Sequence, residues 1–438
     1  MSSTSFDFPF AKYKLRSQKW GVLGGGQLAQ MLINAAADLN RPLIPLVHNA
    51  DDPAALAAPD LAVISPVQSK SEFSNFFNSV DAVIFENEFV DIKQLKAAAP
   101  ADLSFFKPEL STLGFLRDKL TQKKVLSRLN IPTAPFIEGP EVLSPDSALK
   151  DSEIESWLNL PLKNFGDDFI LKWSLYGYDG KGTFFYRPQK HQAALDFVRS
   201  AYKKSARIYA EKKISFDREL ALVSAAKSNS SNSKALRENG HGDCVHFPLV
   251  ISEQWNGICH RVYGPALKFG VSIELQHQAE KAAKALAQEL SISGTFAIEF
   301  FYSKQGELLV NELAPRVHNS GHFSQDASDL SQFHLHLLGS DGQNLSTPNC
   351  RPYFGMINLL GAPGTQYKRV SADLPIELCK APNAHSFIHW YGKKEIKEGR
   401  KLGHLNTWAE SESELLTSLA ALDTWQKNII EFLNKESV

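Results

Sequence analysis

The chain has 438 residues, too long for one ordinary hydrophobic core, so two to three domains are expected. Hydrophobic residues make up 43% and charged residues 22%, the mix of a water-soluble globular protein, and a formal net charge of −1 argues against a nucleic-acid-binding surface. The polar first 18 residues, the lack of any 18-residue apolar run and four scattered cysteines (Cys244, Cys259, Cys350, Cys379) argue against a signal peptide, a membrane span, a zinc site or a disulfide frame, and favour the cytoplasm.

Residues 19–35 read as a buried strand, a glycine-rich turn at Gly24–Gly26, and a helix with its apolar face at Leu28, Met31, Leu32 and Ala35. Strands at Leu43–Val47 and Ala82–Phe85 follow, separated by helical stretches, which predicts βαβ units and a parallel sheet. Ala29 replaces the third glycine of a dinucleotide fingerprint, and Val47-His48-Asn49 supplies no acidic residue at the second strand end. The pattern therefore argues against NAD and favours another anion, such as a sugar phosphate, at the helix N-terminus.

Residues 117–129 predict an amphipathic helix ended by Asn130-Ile131-Pro132, and an α/β segment follows. In 169–183, Lys172 ends an apolar strand where an ammonium can reach a phosphate, and Gly177, Gly180 and Gly182 form a loop whose N–H groups can cover phosphates. Tyr178, Asp179 and Lys181 add polar groups to that loop; a plain glycine-rich hairpin turn is the rival reading. In 209–220, a strand end at Glu211 followed eight residues later by Glu219 suits an adenine edge and a ribose diol, but its charges equally suit a solvated surface. Residues 227–240 are rich in Ser and Asn and predict a hairpin tip, and 277–290 predict an alanine-faced helix.

The most informative stretch is 310–322, Val-Asn-Glu-Leu-Ala-Pro-Arg-Val-His-Asn-Ser-Gly-His. An apolar strand delivers Asn311 and Glu312, and a loop then presents Arg316, His318, Asn319 and His322. Glu299 lies one strand earlier, across the turn Ser303-Lys304-Gln305-Gly306, so two carboxylates on neighbouring strands can clamp magnesium with a nucleotide's phosphates. After a loop at 339–342 come strands at Met356–Leu360 and Ser386–Tyr391, and one or two helices over 411–434. Between them, Lys393, Lys394, Lys397, Arg400 and Lys401 form either a solvated loop or a pocket for an anionic substrate.

These segments, in this order, resemble the N5-carboxyaminoimidazole ribonucleotide synthetases, ATP-grasp enzymes that form the ATPase subunit of phosphoribosylaminoimidazole carboxylase. The similarity runs from Gly24–Leu28 through Asp118–Phe136, 177–182, Asn311–His322, Ser331–Phe333 and Met356–Gly361 to Gly399–Leu405. It implies an α/β and α+β architecture: an N-terminal Rossmann-like pre-ATP-grasp domain (1–116), an ATP-grasp domain with a lid subdomain (117–345), and a small β-rich C-terminal domain with terminal helices (346–438). It further implies ATP-dependent carboxylation of 5-aminoimidazole ribonucleotide by bicarbonate through carboxyphosphate, in a homodimer that passes its product to a mutase. Another ATP-grasp carboxylate–amine ligase, such as the formate-dependent glycinamide ribonucleotide transformylase, and a non-catalytic nucleotide-binding homologue are the alternatives.

Carried over by residue, the resemblance assigns the nucleotide to Lys119, Lys172, Gly177, Tyr178, Asp179, Gly180, Lys181, Gly182, Thr183, Glu211, Lys212, Lys213, Ile214, Glu219, Gln254, Asn311 and Glu312. Glu299 and Glu312 match the ligands of magnesium, with manganese as the alternative ion. Tyr178, Asp179, Arg316, His318 and Asn319 match residues around bicarbonate and the aminoimidazole, and Lys393, Arg400 and Lys401 match cations for carboxyphosphate and substrate phosphate. The chain departs from the family pattern in the bulky run Trp173–Tyr176, in Thr183 and Gln254 where glutamine and histidine are usual, and in a longer tip at 227–240.

Overall fold

The computed structural model describes residues 18–141, 150–175, 182–228, 244–370 and 373–435. Four short apolar runs and one mixed pair form a parallel sheet: β1 (Trp20–Leu23), β2 (Leu43–Val47), β3 (Val63–Ile64), β4 (Ala82–Phe85) and β5 (Phe106–Lys107), in the order β3-β2-β1-β4-β5. β1 and β4 are buried at every position, as expected of strands covered by helices on both faces. The strand order reverses between β1 and β4, so their C-terminal ends open a crevice there.

A small antiparallel sheet holds β6 (Phe136–Glu138), β7 (Phe169–Trp173), β8 (Thr183–Phe185) and β9 (Ile208–Lys212), in the order β6-β9-β7-β8. Its core is separate, built from Ile154, Trp157, Phe169, Leu171, Leu195 and Val198 among others. Trp173, from the bulky run, stacks on Phe197 at 5.2 Å inside this small unit, and Leu175 packs against the same core.

The large sheet holds β10 (Phe216–Ala226), β11 (Cys244–His246), β12 (Val250–Trp255), β13 (Ile258–Gly264), β14 (Gly294–Ser303), β15 (Leu308–Ala314), β16 (Tyr353–Leu360), β18 (Ser386–Trp390) and β20 (Lys401–Ala409). Its path is β15-β14-β10-β12-β13-β16-β20-β18, with β11 on β10; β17 (Lys368–Arg369) and β19 (Glu395–Ile396) pair apart from it. The antiparallel pairing of β13 with β16, Arg261↔Ile357 to Gly264↔Phe354, carries the sheet across residue 345 without a break. Of the strands after 345, β16, β18 and β20 therefore extend the central sheet, while the short β17 and β19 pair with each other. The strands flanking the Ser/Asn-rich tip pair as a hairpin, Ala226↔Cys244, while residues 229–243 lie outside the described residues.

Helices cover both faces of this sheet. Helix Ile273–Glu289 starts four residues before its expected position because Ser272 caps it, accepting from Leu275 N–H. Residues Glu412–Lys435 form one helix, whose buried Leu415, Leu419, Leu422, Trp425, Ile429 and Leu433 recur at helical spacing and cover β16 and β20.

Candidate active site

The site begins with β14 and β15. Glu299 stands directly opposite Glu312, and the register then slips, because Phe300 pairs with Val310 and leaves Asn311 as an extra residue. Such a bulge re-aims side chains at a functional edge. It allows Asn311 and Glu312, neighbours in sequence, to meet the same lysine group: Lys172 Nζ lies 3.4 Å from Asn311 Oδ1, and Lys119 Nζ pairs with the Glu312 carboxylate. Asp118 caps the helix Lys119–Arg128 by accepting from Thr121 N–H at 2.8 Å, which places Lys119 at the helix start, beside the carboxylates.

Three acidic groups crowd here. Burial, reinforced by Glu312 and Glu219, pushes the Glu299 carboxyl up to about 8. Glu219 rises to about 7, again through burial first, although a hydrogen bond from Gln254 opposes it. Glu312 moves the other way: burial raises it, but Lys119 and Lys172 more than offset that and hold it below the usual carboxylate range. A divalent cation would suit this place, since two opposed carboxylates offer hard oxygen ligands and a bound cation would offset the burial and mutual repulsion that raise Glu299. Among the described residues no group of three or more His, Cys, Asp or Glu side chains is arranged to hold a metal. Two carboxylates would leave the remaining positions of a bound magnesium to phosphate oxygens and water, its usual habit.

Lys172 sits next to last in β7, paired with Thr183 of β8 and Tyr209 of β9. Its Nζ donates to Glu211 Oε1 at 3.1 Å. Glu211 is fully buried and also meets Lys123 Nζ, 3.1 Å from Oε2. Beyond it, Lys212 is exposed, Lys213 reaches Asp168 at 3.1 Å, and Ile214 links the small sheet to the large one. Gly182 lies in the left-handed region (φ +69°), and its carbonyl accepts from Trp173 N–H at 2.9 Å. Gly177, Tyr178, Asp179, Gly180 and Lys181 lie outside the described residues.

Arg316, His318 and Asn319 follow β15. Arg316 Nε donates to Glu88 Oε2 at 2.6 Å, across to the crevice beside β4. His318 Nδ1 accepts from Ser320 N–H (3.3 Å), so Nε2 carries the proton and faces Glu299 Oε1 at 3.6 Å. Burial, with Arg316 and Lys401 nearby, drops the His318 imidazole to about 3, which keeps it neutral. Asn319 is 8% exposed, and neither amide atom finds a partner among the described residues beyond the neighbouring Cys259 thiol. A buried amide served by no more than a weak thiol contact suits a small polar ligand.

The last strands add cations. Lys401 acts on Glu299, His318 and His322, and Lys393 donates to Gln27 Oε1 at 2.8 Å and to the Lys401 carbonyl at 2.9 Å. Arg400 departs from the expected grouping: its guanidinium is held by Glu395 at 3.0 Å, and Glu395 also accepts from Tyr367 at 2.7 Å.

The glycine-rich turn holds a different anion from the one expected. Glu86, just after β4, accepts from Gly26 N–H at 2.7 Å and from Leu28 N–H, so the helix Gln27–Asp38 carries the protein's own carboxylate at its N-terminus. A Cβ on Gly26 would sit 2.0 Å from Glu86 Oε1. Burial raises the Glu86 carboxyl, opposed by those N–H groups and by Lys393 and Arg316.

Sequence reasoning missed Lys123, Glu86, Glu88 and Gln27. Lys123 was detectable, because it lies three residues from Leu120 and from Leu126 on the buried stripe of its helix. Glu86 and Glu88 stand at the C-terminal end of a parallel strand at the sheet's switch point, a recognised place for functional groups.

Family models match along the chain: a ribonucleotide synthetase preATP-grasp domain over residues 17–110, an ATP-grasp domain over 129–333, and a phosphoribosylaminoimidazole carboxylase C-terminal domain over 355–418. The chain is 35% identical over 390 residues to the N5-carboxyaminoimidazole ribonucleotide synthase of Synechococcus elongatus, covering 89% of each chain. It is 32% identical over 405 residues to that of Synechocystis sp., covering 90% of this chain and 93% of the relative. Among solved structures, carboxyaminoimidazole ribonucleotide synthase from Aspergillus clavatus complexed with ATP matches with a TM-score of 0.76 at 27% identity, covering 94% of this chain and 99% of that one. The Aspergillus clavatus enzyme in complex with ADP and 5-aminoimidazole ribonucleotide also gives 0.76, at 25% identity and the same coverage. With its three domain models in order and relatives matched nearly end to end, the chain belongs to the N5-carboxyaminoimidazole ribonucleotide synthase family of ATP-grasp ligases.

Proposed function

We propose that this chain uses ATP to carboxylate 5-aminoimidazole ribonucleotide with bicarbonate, giving N5-carboxyaminoimidazole ribonucleotide, ADP and phosphate. The observation that carries this reading is the opposition of Glu299 and Glu312 among several cations. Lys119 and Lys172 act on Glu312, Lys119 and Lys401 act on Glu299, and Arg316 and Lys393 converge on nearby Glu86. Phosphoryl transfer asks a protein mainly for positioning and charge neutralisation.

Glu299 and Glu312 would hold magnesium, or manganese, which neutralises phosphate charge when bound. Lys172 and Lys119 contact the nucleotide's phosphates, Glu219 the ribose, and the segment 211–214 the adenine edge, with Gln254 beside the ribose. Asn319 and the Nε2–H of neutral His318 hold bicarbonate and then carboxyphosphate, while Arg316 stabilises the transferred phosphoryl group. Because His318 titrates at about 3, it works as a hydrogen-bond donor and not as a cation. Lys393 and Lys401 take the phosphate of the ribonucleotide. Arg400 joins them by exchanging Glu395 for that phosphate. The 177–183 loop covers the phosphates, with Tyr178 and Asp179 near the aminoimidazole.

The same reading divides the chain at 116 and 345, places it in the cytoplasm as a homodimer, and hands its product to a mutase. No helix among the described residues is long and apolar enough to cross a membrane. The deciding experiment is ADP release with bicarbonate, with and without 5-aminoimidazole ribonucleotide. Stimulation by the ribonucleotide supports the proposal. Turnover with formate and glycinamide ribonucleotide, and none with bicarbonate, would overturn it.

A further inference from the structure

We infer that Lys123 is a positioning residue of the nucleotide site: from behind, it neutralises Glu211 and so leaves the charge of Lys172 for the nucleotide's phosphates. The inference rests on the reading of Lys172 as a phosphate contact.

Lys123 is 1% exposed, among the apolar residues of the helix Lys119–Arg128. Its ammonium lies 3.1 Å from Glu211 Oε2 and donates to Thr133 Oγ1 at 2.6 Å. Thr133 in turn donates to the carbonyl of Val310 at 2.6 Å, one residue before the bulged Asn311. The other oxygen of Glu211 takes Lys172, which also approaches Asn311. One carboxylate thus stands between two lysines, one sealed in the core and one at the cleft.

An apolar side chain would fill Lys123's place at a lower desolvation cost. What a lysine adds there is charge. Lys119 and Glu312 cancel each other, whereas two lysines against Glu211 leave one positive charge, and Lys172 carries it at the cleft. Without Lys123, Glu211 and Lys172 would form a neutral pair, and an incoming phosphate would have to compete with a buried carboxylate for the same ammonium. The direction of the Glu211 titration agrees: burial raises it, yet Lys172 and Lys123 together hold it below the usual range.

The test is calorimetric titration of the full chain with magnesium ADP and, separately, with adenosine, which lacks phosphates. Thermal unfolding checks that each variant is folded. Lys123→Met should weaken magnesium ADP by about tenfold, as expected for removing one charge near its partner, and leave adenosine within about twofold. Lys123→Met/Glu211→Gln restores the charge count and should bind ADP more tightly than Lys123→Met; because Glu211 also lies at the adenine edge, each ADP constant is read relative to the adenosine constant of the same variant. Wild-type ADP affinity in Lys123→Met, or a double variant as weak as the single, would overturn the inference.

If Lys123→Met does not fold, Glu211→Gln compared with the double variant carries the test. The first has one more positive charge and should bind ADP about tenfold tighter; equal affinities overturn the inference. Lys172→Ala separates the two levels. If it leaves ADP affinity unchanged, the phosphate reading falls and the inference with it. If it weakens ADP while Lys123→Met does not, only the inference falls.

Discussion

Glu299 and Glu312 face each other across one rung of an antiparallel hairpin, and the bulge at Asn311 lies beside that rung. Without the bulge, Asn311 and Glu312 would point to opposite faces of the sheet. With it, a carboxylate and an amide from consecutive residues meet Lys119 and Lys172, and their opposite number, Glu299, meets His318.

Changing Glu312→Gln should abolish ATP turnover while the protein stays folded, because the carboxylate pair loses the member held ionised by Lys119 and Lys172. ADP release at saturating magnesium is the measurement, with thermal unfolding as the control. Turnover near the unmodified rate would remove these carboxylates from the reaction.

Magnesium affinity should rise with pH between about 6 and about 8, with proton uptake by buffer, since Glu219 and Glu299 titrate at about 7 and about 8 and a metal prefers them ionised. The stability of the metal-free protein should run the opposite way. Both carboxyls hold protons more tightly folded than unfolded, so their contribution is complete below about 4.5 and is lost as pH climbs to about 8. Unfolding midpoints with and without magnesium ATP across this window would check the sign. A metal-free midpoint that rises through the window contradicts it.

Lys393→Ala should weaken 5-aminoimidazole ribonucleotide by about one to two decades, roughly 1.5–3 kcal/mol for a lost charged hydrogen bond, and leave the ATP constant near normal. Lys393 bridges Gln27 at the glycine turn and the Lys401 carbonyl, both far from the nucleotide lysines in sequence. Separate Michaelis constants for the two substrates decide the point. A change confined to ATP would move Lys393 to the other pocket.

Gly26→Ala should destabilise the protein by about 1–3 kcal/mol in urea unfolding, through crowding and a stranded N–H. The backbone angle at Gly26 (φ −83°) suits any residue; the obstacle is the Glu86 carboxylate. Adding Glu86→Ala should therefore recover part of the loss. If the double variant is less stable still, the close approach is not the cause.

Much of this was legible in the sequence where the signal is local. β2 and β4 match their expected bounds because each is a short apolar run between polar breaks. The Glu299–Glu312 opposition follows from counting outward from the turn at Ser303–Gly306, apart from the one-residue slip at Asn311. Long-range features stayed hidden. Arg316 meets Glu88 across 228 residues, and no periodicity announces such a pair. The spacing of Lys123 marks it for the buried stripe but gives no sign of its partner Glu211, and the glycine turn gave no sign that Glu86 already occupies its N–H groups. The continuity of the large sheet rests on β13 meeting β16, strands separated by the whole 265–352 segment.

That continuity has a mechanical meaning. Glu299, Glu312 and Lys401 ride on one sheet, while Lys172 and Glu211 ride on another. Rocking the small sheet would change the gap between Lys172 and Asn311 and leave the spacing between the carboxylates and the last-strand cations untouched. The large sheet would serve as a workbench and the small one as the jaw of a vice. If the small sheet rocks, the grip of Lys172 on a bound phosphate would change, while the alignment of the carboxylates with the last-strand cations stays as folding sets it.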